Sequence, residues 1–357
     1  MDPRDSADLP VDALSVSLDV LPTILEGPAR EVRGPAVSPF RASLHRFRRE
    51  KSATTALLIL IGVCLVSIIL PPIYQHIGPP LHEQIVPGYV VTIPSTLYRS
   101  AEFTDAQHMT EYPNALHWLG TDDLGADILS RLLKGWQVTL IVVLIIEIQD
   151  VAFGIFFGLL AGYYGGMLDT VLSRFTDLMF AFPGILLLIL VASIFGPSFD
   201  NFSLLGFSLG PYGRLVLVCL VVGFLAWPQM ARYVRAQTLQ LKETEFVEAA
   251  RANGTGNLKI MLRHILPNMT SLIIVAAVLD LTGNIGIEAT ISFLGLGVQP
   301  PGVGLGLMVE QYAEYLQAFG YEMLWPLLGV IMLVLTCSFV GNGLEAAFDP
   351  RQKDYGF

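Results

Sequence analysis

Long apolar runs alternate with shorter polar stretches along this chain, and the lengths of those runs set the first expectation. A helix needs roughly 20 mostly apolar residues to cross the hydrocarbon core of a bilayer. Six stretches approach or exceed that length, at 54–74, 137–163, 172–195, 215–234, 269–289 and 323–339. The first follows a basic cluster of Arg41, Arg46, Arg48, Arg49 and Lys51. Such a flank resembles a signal peptide, but the run is too long and starts too deep in the chain. Pro71 and Pro72, rather than a small-residue cleavage site, follow it. It is read as a retained first span. The pattern predicts an all-α integral membrane protein with about six transmembrane helices.

Six crossings put both termini on one side, and the lysine and arginine distribution says which. One set of connections holds the 41–51 cluster, Arg232, Arg235, Lys242, Arg251, Lys259, Arg263, Arg351 and Lys353. The opposite set holds Arg99, Arg131 and Lys134, and gathers acids such as Glu83, Asp122, Asp123, Glu310 and Glu322. Both termini are expected in the cytoplasm. The implied organisation is an N-terminal tail over 1–50, a first span over 51–75, an external connection over 76–134, a five-span core over 135–346 and a tail over 347–357. Residues 1–40 are acidic and lack helical periodicity, which reads as a flexible tail or a partner-docking segment.

Composition sharpens this. Of 357 residues, 53% are hydrophobic and 15% charged, against about a quarter charged in soluble domains. A net charge of -10 offers no basic surface for nucleic acid. Cys64, Cys219 and Cys337 lie apart inside apolar runs and form no disulfide framework or metal motif. No phosphate-binding GxxxxGK[ST] loop and no hydrolytic motif is present. His76 and His82 are the closest histidine pair, and solvated loop histidines are the plainer reading. The sequence predicts no cofactor or metal in this chain and no catalytic residue.

Two further patterns bear on packing. In LGTDDLGADILSRLLKG, from Leu119, Thr121 can cap a helix, while Asp122 and Asp123 suit its positive end. Leu124, Ile128, Leu129, Leu132 and Leu133 would share one face, predicting an amphipathic surface helix before the second span. The proline-rich part of 75–134 before it is expected to form a small irregular cap. Inside the second span, Gly154, Gly158, Gly162 and Gly166 recur every four residues and predict close helix–helix approach.

The most polar internal stretch lies between the fourth and fifth spans and runs for about 35 residues, more than a bundle turn needs. Phe246, Val247, Ala249 and Ala250 give a short half-apolar helix, Gly254 and Gly256 break it, and Leu258, Met261, Leu262 and Ile265 resume the helical pattern up to Pro267. The pattern fits a helix–turn–helix elbow that inserts into a partner's groove, and equally an ordinary solvated loop.

Glu248-Ala249-Ala250, then Gly254, then Leu266-Pro267 resemble the EAA signature of binding-protein-dependent ABC importer permeases. His264 stands where that signature usually has isoleucine, although RHILPN recurs in the oligopeptide branch. LGTDDLGADILSRLLKG, AGYYGGMLD, AFPGILLL, SFLGLGVQPP and GNGLEAAFDPR resemble the same branch, so the resemblance spans 119–351 and is to the C-type subunit of the dipeptide/oligopeptide/nickel permeases. After QPP the chain reads GVGLGLM where the family usually reaches Trp-Gly. The resemblance implies a bacterial or archaeal cytoplasmic membrane, a second homologous permease, two ABC ATPases holding ATP and Mg, and an extracytoplasmic binding protein. It implies that the loop 240–267 is the coupling helix region, with Glu245, Phe246, Glu248, Ala249, Ala250, Gly254, Leu266 and Pro267 shaping the contact with an ATPase. Peptides are the expected cargo; nickel chelates and oligosaccharides are alternatives, and an ion-gradient-driven transporter is the rival from another class.

Ionisable groups inside the bilayer cost roughly 2.5–3.5 kcal/mol on insertion scales. Asp280, Asn284 and Glu288 are spaced by four and stack on one helix face. Such a stripe suits a translocation pathway; interhelical hydrogen bonds, or for Glu288 an exposed helix end, are the alternatives. Glu147 and Asp150 in the second span either line the pore or face a neighbouring subunit. Asp177 is expected to pair with Arg174 within its own helix.

Overall fold

The computed structural model describes residues 39–77, 81–86, 89–105, 108–199, 203–204 and 207–348. Residues 1–38 of the expected 1–50 tail, and Arg351 and Lys353, lie outside them. The chain divides into a unit at 1–42 and a unit at 43–357, and the second carries the bundle. In order, the described elements are α1 (Pro39–Arg49), α2 (Lys51–His76), β1 (Leu81–Val86), β2 (Tyr89–Pro94), α3 (Ser95–Tyr98), α4 (Ile128–Tyr164), α5 (Gly166–Ala181), α6 (Gly184–Phe199), β3 (Ser203–Leu204), β4 (Phe207–Ser208), α7 (Gly213–Leu241), α8 (Glu245–Ala252), α9 (Asn257–Ile260), α10 (Leu266–Phe293), α11 (Leu305–Ala313) and α12 (Leu316–Phe348). The strands form two isolated antiparallel hairpins. The first pairs Leu81 with Pro94 and Val86 with Tyr89, so part of the expected irregular cap is an ordered ribbon.

Helix contacts fix the crossing directions. The glycine stripe of α4 meets α7 in step: Gly154 faces Met230, Gly158 faces Ala231 and Val234, and Gly162 faces Arg235 and Thr238. Both numberings rise together, so α4 and α7 run parallel. A Cβ added at Gly158 would lie 2.7 Å from the Ala231 carbonyl oxygen, which is why this face stays bare. Gly166 is not part of the stripe; α4 ends at Tyr164 with Gly165 as its C-cap, and nothing lies within 4 Å of a Cβ at Gly166. By contrast α10 runs antiparallel to α4, since Asn284 meets Glu147 and Glu288 meets Thr139. The α2 helix is also antiparallel to α4, with Gln137 against the Ser67 carbonyl and Tyr74 against Asp127.

The third span differs from a simple rod. α5 and α6 meet at 76° around Phe182, whose extended backbone precedes Pro183, as the crowding of a residue before proline favours. At one end Asp169 and Asp177 of α5 pair with Arg235 and Arg232 near the C-terminal end of α7. At the other, Gly196 of α6 packs on Arg214 at the start of α7. The bent pair therefore runs the length of α7 once; counted as one span, it brings the candidate spans to six, and Lys51 and Phe348 lie on the side holding α8 and α9. Asp177 bonds Arg232 at 2.7 Å rather than the expected Arg174, because α7 brings a guanidinium to it from a neighbouring helix.

The segment before α4 also departs from expectation. No amphipathic helix starts at Thr121. The Asp122 carboxylate instead accepts from the Leu124 and Ala126 amides, and Gly125 takes a φ of +74° that a helix cannot hold. Asp127 is the true N-cap, accepting from the Ser130 amide at 2.8 Å. Its other oxygen accepts from the Tyr74 hydroxyl and the His117 ring, each at 2.7 Å. One carboxylate thus ties the end of α2, the cap loop and the start of α4. Beside it Arg131 pairs with Asp122, and the Tyr312 hydroxyl reaches the same carboxylate.

Candidate coupling elbow and intramembrane polar cluster

The elbow is built from residue chemistry upward. Thr244 precedes α8 in extended conformation, and Glu245 and Glu248 sit in its first turn, where the helix dipole favours them. Val247 and Ala250 are buried, packed with Leu159, Val234, Ile260 and Met261 beneath the ends of α4 and α7. The helix stops in a Schellman motif: the Thr255 amide bonds the Ala250 carbonyl at 3.1 Å, and the Gly254 amide bonds that of Arg251 at 3.0 Å. Gly254 takes φ +73° with open space around it, so the turn demands its backbone freedom and nothing else. Glu245, Phe246, Glu248, Ala249 and Gly254 remain exposed. With Leu258 and Leu262 they present an outward apolar surface edged by charge.

Pro267 sits in the first turn of α10, at the threshold of the fifth span where the sequence ends the loop. A proline lacks an amide hydrogen and its ring crowds the carbonyl four residues earlier. Immediately before it, Met261–Ile265 is a π-turn, whose wider winding accommodates that misfit. The result is one helical rod over 257–293, 37 residues long. Leu266 is half-buried at the level of the Met269 cluster. The Tyr163 hydroxyl, bonded to Asn257 at 2.9 Å, pins the rod's foot to α4.

Farther along this rod lies the polar cluster. The Asn284 amide donates to Glu147 at 3.1 Å, and the carboxyl groups of Glu147, Asp150 and Asp280 are electrostatic neighbours. Four of the five expected residues therefore meet between α4 and α10. Oε1 of Glu147, Oδ1 of Asp150 and Oδ2 of Asp280 are buried without a hydrogen-bond partner among the described residues. Glu288 stands one turn away and is 1% exposed, which rules out the exposed-end reading. It accepts from Thr139 at 3.0 Å and Ser292 at 2.9 Å. Sequence reasoning misses those two hydroxyls, because an isolated Thr or Ser inside an apolar run carries no distinguishing pattern.

A bundle of long apolar helices with a capped elbow on one face and carboxylates in its interior has the architecture of a membrane transport subunit. Residues 154–354 match the family described as binding-protein-dependent transport system inner membrane component. The chain belongs to this family of ABC importer permeases. It is 32% identical over 326 residues to the dipeptide transport system permease protein DppC of Alkalihalophilus pseudofirmus, covering 91% of this chain and 94% of that one. It is 34% identical over 316 residues to the glutathione transport system permease protein GsiD of Escherichia coli O6:K15:H31, covering 88% and 92%. Among solved structures, a chain of the inward-facing methionine ABC transporter MetNI aligns with TM-score 0.47 at 25% identity, over 62% of this chain and 97% of that chain.

Proposed function

We propose that this chain forms half of the translocation pathway of a peptide importer, paired with a second homologous permease and driven by two ABC ATPases that hold ATP and Mg. An extracytoplasmic binding protein delivers the cargo. The observation that carries the reading is the elbow: a capped short helix with an outward apolar face, joined to a rod that reaches the intramembrane carboxylates. Glu245, Phe246, Glu248, Ala249 and Gly254 shape the surface offered to an ATPase, the buried Ala250 seats the helix on the bundle, and Leu266 and Pro267 join it to the rod. Asp280, Asn284, Glu288, Glu147 and Asp150 form the polar stripe along the path. The elbow face is the cytoplasmic one, since Arg48, Arg49, Lys51, Arg232, Arg235, Lys242, Arg251, Lys259 and Arg263 gather on it. Both termini then lie in the cytoplasm. Peptide cargo rests on the names of the dipeptide and glutathione relatives. Purification from native membranes in mild detergent should recover a second six-span permease, ATPases with phosphate loops and a binding protein. Recovery of a lone homo-oligomer would favour the gradient-driven alternative. In proteoliposomes bearing the recovered complex, labelled di- and tripeptides should be taken up on ATP addition; uptake of nickel chelate or oligosaccharide instead would reassign the cargo.

A further inference from the structure

A groove of about 790 Å³ runs between α2 and α12, lined by Thr55, Ala56, Ile59, Leu328, Ile331, Leu335 and their neighbours. It follows α12 from Leu328 to Phe339, about 16 Å of helix axis at 1.5 Å per residue. That is about half of a ~30 Å hydrocarbon core, the depth of a single leaflet. Its lining is apolar, and the Thr336 hydroxyl is already committed to the Met332 and Leu333 carbonyls. Lys51 and Ser52 line the end of the groove on the elbow side. Exposed Arg48 and Arg49 close α1 beside them. The acids near this mouth are Glu50, which accepts from Ser52 at 2.7 Å, and the exposed Glu345. Among the described residues, cations outnumber acids there.

We propose that this groove is a binding site for one anionic phospholipid of the leaflet on the elbow side. An acyl chain lies along Ala56, Ile59, Leu328, Ile331 and Leu335, while the phosphate headgroup meets Lys51, Arg48 and Arg49. A zwitterionic lipid satisfies the apolar walls equally well but gains less from the cationic mouth, because its own ammonium offsets the phosphate, so net charge is what selects the occupant. Each basic side chain near a bilayer surface contributes about fivefold to anionic lipid affinity, so removing three weakens retention on the order of a hundredfold.

The test uses the whole complex, purified from membranes containing phosphatidylglycerol and phosphatidylethanolamine and examined by native mass spectrometry. Phosphatidylglycerol should remain bound, and the variant Arg48→Gln, Arg49→Gln, Lys51→Gln should lose it while assembling normally. Equal retention by the variant, or equal retention of phosphatidylethanolamine by the unmodified protein, would overturn the proposal. A photo-crosslinking residue in place of Ile331 gives an independent readout in the otherwise unmodified complex. Crosslinks to lipid are expected. Crosslinks to the partner permease or to residues 1–38 would show a protein segment in the groove and overturn it too.

Discussion

Gly254 illustrates how much a single residue decides. Its φ of +73° lies where an ordinary side chain costs roughly 1–2 kcal/mol, and no atom lies within 4 Å of an added Cβ. The constraint is therefore conformational rather than steric. Gly254→Asn should keep ATP hydrolysis coupled to uptake, because asparagine tolerates the left-handed region, whereas Gly254→Leu should raise the ATP consumed per molecule transported. The comparison is made in proteoliposomes, and equal effects of the two substitutions would count against a conformational role. Asp280 belongs to the same scale. Asp280→Leu should lower uptake several-fold while leaving the complex intact on size exclusion; unchanged uptake would remove this face from the pathway. The sequence exposed both residues, one through a glycine inside an interrupted helical pattern, the other through a charge inside an apolar run. It did not separate Thr121 from Asp127 as the helix start, since both are good caps and the choice depends on Gly125 turning the chain and on Tyr74 and His117 arriving from elsewhere.

At the scale of elements, spacing foretold the bare face of α4 but not its partner. Four-residue glycine spacing announces close approach without naming the helix that approaches; only the tertiary fold brings α7 against it in parallel. Gly158→Val should overpack this interface, costing roughly 1–3 kcal/mol, and lower the thermal midpoint in detergent. Gly286→Ala is the control, because nothing lies within 4 Å of a Cβ there; inside α10 it should leave the midpoint unchanged or raise it, never lower it. The break in the third span was equally hidden: Phe182-Pro183 signals a restricted backbone, yet the 76° bend depends on how α5 and α6 each pack. Length and hydropathy gave the number of spans because they follow from bilayer thickness alone.

For the whole molecule, the proposed coupling raises the question of how force at the elbow would reach the interior. The rod over 257–293 contains 37 residues, about 55 Å at 1.5 Å per residue. That exceeds the ~30 Å hydrocarbon core, so one end can stand clear of the apolar region while the other passes Asp280, Asn284 and Glu288. A displacement at α8 is then transmitted as rigid-body motion, provided that the π-turn over Met261–Ile265 does not flex. Spin labels at Lys259 and Thr290, both exposed, report on this directly. Their separation, measured by double electron–electron resonance in the assembled complex, should stay constant between nucleotide-free and ATP-bound states. A change of more than a few ångströms would locate a hinge inside the rod, at the π-turn, and the elbow would then absorb motion that the rigid reading assigns to the bundle.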